Sequence, residues 1–399
     1  LLLLASAVLA GLFLREPSVP SDERLRDARR MMLRRQYDQV KPVLAGIPPE
    51  DPLYADALLI LAEAAIRSDD LAGAIESYRR VLELPAGNKA STRLLLADAL
   101  MHAGDLEQSV KQFRAFLQER PDDPVANSRL AFLYTATAQR WQSRPLLTRL
   151  VQLQAATLED LVLLADMDRN INQRAFLETC QRSFPEDIYV RLGLADAAEQ
   201  RGDYSAAIAE LQPLVQQHPN LAGAQILLGE LLAADTSGRF EKWHRELPPE
   251  CDQWPGIWYA RGLRAQQRNQ PTMAARCYGE VLQREPNHRH ATFQLGQVLR
   301  QLQHPMADAF ATRAVQLLNV SNLAVDLQQN TPTAKTEASV RQLVTQLQQL
   351  GRLQEAIAWA MLAGQAMPDP AWFRSFLQEH ATQLNRDMDL QLAAQNPAS

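Results

Sequence analysis

A chain of 399 residues is long enough for two or three globular domains, or for one array that grows by addition. Its composition favours the array: 46% of the residues are hydrophobic but only 6% aromatic, and strong helix formers (Ala, Leu, Gln, Arg, Glu) dominate. A formal net charge of −5 offers no positive field for nucleic acid phosphates, and three scattered cysteines, none in a CxxC pair, specify neither a disulfide framework nor a zinc knuckle.

Residues 1–14, LLLLASAVLAGLFL, are uncharged and apolar, and no methionine precedes them. They read as an N-terminal anchor or signal segment. As a helix they would span about 21 Å, short of the roughly 30 Å hydrocarbon core, so a few preceding residues are expected. Ala5-Ser6-Ala7 resembles a small-x-small cleavage site, but the apolar run continues from Val8 to Leu14, which favours an uncleaved anchor. Residues 15–20 are a linker. The arginines of 23–36 follow directly; Asp22, Glu23 and Asp27 interrupt them, so they read as a solvated helix face.

From residue 21 a spacing recurs. Counting from Pro255, Trp258 stands at position 4, Gly262 at 8, Ala274 at 20, Tyr278 at 24 and Pro286 at 32. Counting from Ala90, Ala97, Gly104, Ser109, Phe113 and Pro121 take positions 8, 15, 20, 24 and 32; from Ile188, Ala195, Gly202, Ala207, Leu211 and Pro219 do the same. The inferred starts are 21, 55, 90, 124, 158, 188, 222, 255, 289 and 337, a period of 34 with one short step of 30 and one long step of 48. Self-similarity at that period predicts stacked helical hairpins.

The pattern resembles the tetratricopeptide repeat family over roughly residues 21–370. The resemblance implies an all-α, right-handed α-solenoid of about ten such hairpins, elongated and closed by a C-terminal capping helix. The array is expected over 21–321, with degenerate units near 158–187 and 222–254. A connection over 322–336, a last unit over 337–370 and a capping helix and tail over 371–399 follow, with Trp372, Phe373 and Phe376 covering the last hairpin. Small residues at positions 8 and 20 are expected to let paired helices approach, and the large residue at 24 to fill the space beyond. More loosely, 258–302 after a short apolar segment looks like bacterial membrane-anchored or exported repeat proteins that can precede FG-GAP propeller and ASPIC/UnbV domains. That likeness implies the periplasmic or other extracytoplasmic face of a bacterial membrane.

No nucleophile elbow, P-loop, dinucleotide glycine fingerprint or paired-histidine zinc helix is present, so the chain reads as a non-enzyme without cofactor or metal. Asp166, Asp168, Asn170 and Asn172 occupy alternate places of a calcium-like loop, but Ile171 replaces the required glycine and Glu178 falls one place late; the stretch reads as a polar turn. His288 and His290, two apart on a helix, point to different sides. The expected function is a protein–protein interaction scaffold holding a peptide or partner protein in a concave groove, with a structural membrane-tethered stalk of a larger protein as the alternative. The resemblance places the groove at positions 2, 5, 9, 12 and 13 of each first helix. Position 9 is acidic in four units (Glu63, Asp98, Asp196 and Glu230), while Tyr189, Tyr259 and Phe293 add aromatic surface and Gln297 and Arg300 polar reach. An acidic row suits a partner offering lysine, arginine or a free amine. Asp196 and Glu230 are expected to accept lysine without loss of folding.

Overall fold

A computed structural model describes residues 19–85, 89–165, 167, 173–330, 336–366 and 371–380. The 1–14 segment and the loop residues Asp166, Asp168, Asn170 and Asn172 lie outside the described residues. Among the described residues there are helices and turns and no strand. The chain divides into two compact units after Glu119.

The first unit holds three hairpins: α1 (Ser21–Leu33) with α2 (Val40–Leu44), α3 (Tyr54–Arg67) with α4 (Leu71–Glu83), and α5 (Lys89–Ala103) with α6 (Leu106–Glu119). The second begins with α7 (Pro124–Ala136), α8 (Arg140–Gln152), α9 (Leu158–Ala165), α10 (Arg174–Ser183), α11 (Ile188–Gln200) and α12 (Tyr204–Gln217). It continues with α13 (Ala222–Leu232), α14 (Arg239–Glu246), α15 (Pro255–Gln267), α16 (Pro271–Arg284), α17 (Arg289–Gln301) and α18 (Ala307–Gln329). It ends with α19 (Glu337–Gln349), α20 (Leu353–Ala366) and a helix over 371–380. The first helices begin at 21, 54, 89, 124, 158, 188, 222, 255, 289 and 337, each within one residue of its expected start.

Local chemistry explains this agreement. Gly104 adopts φ +92° at the end of α5, where its N–H and that of Asp105 both reach the Leu100 carbonyl at 3.0 Å. Asp105 then accepts from Gln108 N–H at 3.1 Å and opens α6. Where glycine is absent at this turn, Asp69, Asn269 and Gln303 carry the left-handed conformation themselves. Inside the hairpin α5–α6, Ala97 and Ser109 are fully buried, and the Ser109 hydroxyl donates to the Ala97 carbonyl at 2.8 Å.

Position 8 does two different jobs. A Cβ on Gly296 would lie 3.2 Å from the Ala311 backbone nitrogen, so α17 and α18 touch there through their backbones, as expected. A Cβ on Gly262 would instead lie 2.5 Å from the Tyr278 ring: this glycine makes room for the large residue at position 24 of its own hairpin.

Two departures matter for the site. Helix α18 continues for 23 residues, through much of the stretch expected to be a connection, because Leu317, Val320, Ala324 and Leu327 extend a buried stripe at spacings of three and four. Helix α14 is only eight residues long and gives way to a 3₁₀ turn over Pro249–Gln253, the expected irregularity.

The end of the second unit folds back onto its beginning. Leu147 and Leu150 of α8 and Leu161 of α9 share one buried cluster with Leu327 of α18, Leu347 of α19 and Trp359 of α20. Phe373 and Phe376 join it from the 371–380 helix, with Trp372 stacked on Phe376 at 5.6 Å. The buried Arg352 guanidinium donates to the Leu164 carbonyl at 2.9 Å, across 188 residues of sequence. An open superhelix, as the repeat likeness alone would suggest, needs no such contact. None of the described helices is long and apolar enough to cross a membrane.

Candidate functional site

The expected groove residues fall into three places. In the first unit Glu63 is exposed, 3.9 Å from Arg67, and Asp98 is half-buried with the His102 ring 3.8 Å away. Both carboxylates act on Tyr78, whose phenol pKa is raised first by burial and then by their charges. In the second unit Phe293, Gln297 and Arg300 form an exposed stripe along α17, with Arg300 3.4 Å from Asp308. Tyr189 is buried, at 7% exposure, and offers no free aromatic surface. Only Asp196, Glu230 and Tyr259 converge on one cavity, of about 320 Å³.

Three successive first helices build its wall: α11 supplies Asp196 and Glu199, α13 Glu230, and α15 Tyr259. The start of α8 contributes Arg140 and Trp141, and the turn after α16 contributes Glu285 and His288. Asp196 does not have the open surroundings that tolerance of lysine would require. It is 5% exposed, accepts from Arg140 Nη2 at 2.8 and 3.1 Å, and accepts from Gln200 Nε2 at 2.7 Å. A lysine there would meet Arg140 in a site with little water, so folding would suffer. Glu285, also buried, is paired with Arg144 of α8 at 2.9 Å.

Glu199 is different: among the described residues its carboxylate has no hydrogen-bond or ion-pair partner. Burial raises its pKa first, the Asp196 charge raises it further, and Arg140 opposes both. Two buried donors in the wall, Arg140 Nε and Trp141 Nε1, also lack partners among the described residues. The Tyr259 ring lies 5.1 Å from the His288 imidazole and 5.8 Å from Tyr278. His288 also caps α17, accepting from Ala291 N–H at 3.3 Å.

The sequence reading missed Arg140, Trp141, Glu199 and Glu285. Glu199 was within reach, since it stands at position 12 of the unit starting at Ile188, one of the groove positions. The other three come from second helices and turns, for which repeat register makes no groove assignment.

Chemically the cavity is an acidic, aromatic recess. Among the described residues no group of three or more His, Cys, Asp or Glu is arranged to hold a metal ion. The thiols of Cys180 and Cys251 are pushed up to about 11 by burial and stay protonated near neutrality.

Stacked antiparallel hairpins of this period define a helical-repeat protein. The sequence profile of the tetratricopeptide repeat matches residues 23–91, 177–242 and 259–311, and the chain belongs to that family. It is 31% identical over 193 residues to cellulose synthase operon protein C of Salmonella typhimurium, covering 44% of this chain and 16% of that protein. Cellulose synthase 1 operon protein C of Komagataeibacter xylinus is 25% identical over 186 residues, covering 45% and 13%. The chain thus spans less than a fifth of the length of these curated relatives. A crystal structure of a tetratricopeptide repeat protein from Parabacteroides merdae aligns with 70% of this chain and 98% of its own, at 16% identity and a TM-score of 0.29, too low to support any argument.

Proposed function

We propose that this chain is a non-catalytic scaffold that holds a partner protein through a lysine, an arginine or a free amine inserted into the cavity of the second unit. The observation that carries the reading is Glu199: a half-buried carboxylate without a partner, beside Glu230 in a recess walled by Tyr259 and Trp141. A cation entering there gains a charge-assisted hydrogen bond to the Glu199 carboxylate and the aromatic faces of Tyr259 and Trp141 beside it. Because the relatives named above belong to bacterial cellulose synthase operons, the proposed setting is a bacterial polysaccharide-synthesis assembly. The proposed location is the extracytoplasmic face of the membrane, with 1–14 as the tether.

Fluorescence anisotropy with a labelled lysine-rich peptide tests the reading. Binding should weaken with added salt and fall at least tenfold in a folded Glu199→Gln/Glu230→Gln variant. Unchanged binding by that variant would remove the cavity from the account.

A further inference from the structure

Helix α15 presents two opposite faces. Gly256 and Tyr259 line the acidic cavity, whereas Trp258, Arg261, Ala265 and Arg268, spaced by three and four, line a groove of about 650 Å³ against α14 and α16. One wall of the groove is α14, which is only eight residues long.

Its lining combines apolar surface with guanidinium groups. The half-exposed Met273 and the partly exposed Trp258 supply the apolar part, above the buried Phe240 and Ala265, and the Trp258 ring centroid lies 4.6 Å from the Arg261 guanidinium. Five arginines line it: Arg245, Arg261, Arg264, Arg268 and Arg276. Glu241 is the one carboxylate among the lining residues, paired with Arg264 at 2.6 Å and Arg268 at 2.5 Å. Asp252, just outside, pairs with Arg261 at 2.6 Å. Arg245 and Arg276, both exposed, have no carboxylate partner among the described residues. A cationic recess is thus present in a chain whose net charge is −5.

We propose that this groove is a second, independent binding site, for a peptide segment in which a bulky apolar side chain is flanked by carboxylates. The apolar side chain lies on Trp258 and Met273, and the flanking carboxylates meet Arg245 and Arg276 at the rim. A polyanionic sugar would satisfy the arginines but leave the apolar part of the groove unfilled, so the composite lining selects a peptide. The site lies on the side of α15 away from Tyr259, so the scaffold can engage a basic partner and an acidic one at separate surfaces.

The test is anisotropy with a labelled peptide carrying a phenylalanine flanked on each side by two glutamates. Controls replace the glutamates by glutamine or the phenylalanine by alanine, and a galacturonate oligomer serves as competitor. The acidic peptide should bind, lose at least tenfold in affinity in either control, and resist competition by the uronate. Arg245→Glu/Arg276→Glu should abolish binding, and Arg276→Gln, a neutral change at an exposed position, should weaken it in the same direction. Glu199→Gln/Glu230→Gln should leave it unchanged, which separates this site from the acidic cavity. Equal binding of the glutamine peptide, full competition by the uronate, or undiminished binding by the folded arginine variants would overturn the proposal.

Discussion

Replacing Gly262 by alanine tests the packing inside a single hairpin. The added Cβ would stand 2.5, 2.8 and 2.9 Å from Cε1, Cδ1 and Cζ of Tyr278. Carbon atoms in contact rest about 3.5 Å apart or more, so the ring must retreat by about 1 Å. It has little freedom to do so: Tyr278 is fully buried, its hydroxyl is hydrogen-bonded to Gln266, and Tyr259 packs on it. Overpacking of this kind costs about 1–3 kcal/mol, while alanine recovers about 1 kcal/mol of helix propensity over glycine. The net expectation for Gly262→Ala is a loss of about 0–2 kcal/mol, and Gly262→Leu should lose more. Tyr278→Leu removes the ring, so Gly262→Ala should cost about 1–2 kcal/mol less in that background, within the usual range for residues in contact. Urea unfolding followed by far-ultraviolet circular dichroism measures all four corners of the cycle. Strict additivity, or Gly262→Ala more stable than wild type by the full propensity gain, would refute the packing described here.

Asp196→Ala should destabilise by up to about 3 kcal/mol, because it strands the Arg140 guanidinium, and Arg140→Ala/Asp196→Ala should lose less than the sum of the single changes; calorimetry checks this. Glu199 binds its proton more tightly in the folded than in the unfolded chain, so its share of stability is lost as pH rises from the ordinary glutamate range through its raised folded value. Glu199→Gln should therefore stabilise the protein near neutral pH and give no gain at acid pH, as read from denaturation midpoints across pH. Leu327→Ala should cost about 2–5 kcal/mol by opening a cavity in the cluster that joins α18 to α9, measured by urea denaturation.

The repeat starts were legible because their signals are local: a glycine or asparagine at the turn, an aspartate opening the second helix, a proline after it. The continuation of α18 was also legible, in Leu317, Val320, Ala324 and Leu327, but the polar residues around them read as a connection. Glu199 stands outside the acidic row of position 9, although position 12 faces the same recess. The burial of Asp196 could not be read from its own helix, since its partner Arg140 lies 56 residues away. Nor does a period of 34 carry information about contacts such as Arg352 with Leu164, which join the unit's ends and not its neighbours. The arginine groove draws its lining from α14, α15 and α16 together, so it appears only in three dimensions.

Photo-crosslinking tests the central claim most directly. A lysine-rich peptide carrying a diazirine next to its central lysine is irradiated with the protein, and the adducts are located by mass spectrometry. The account predicts adducts on the cavity wall, on tryptic peptides containing Trp141, Glu199 or Glu230, and their loss in Glu199→Gln/Glu230→Gln. Adducts confined to the exposed stripe of Phe293, Gln297 and Arg300, or a wall pattern unaffected by the double variant, would contradict it.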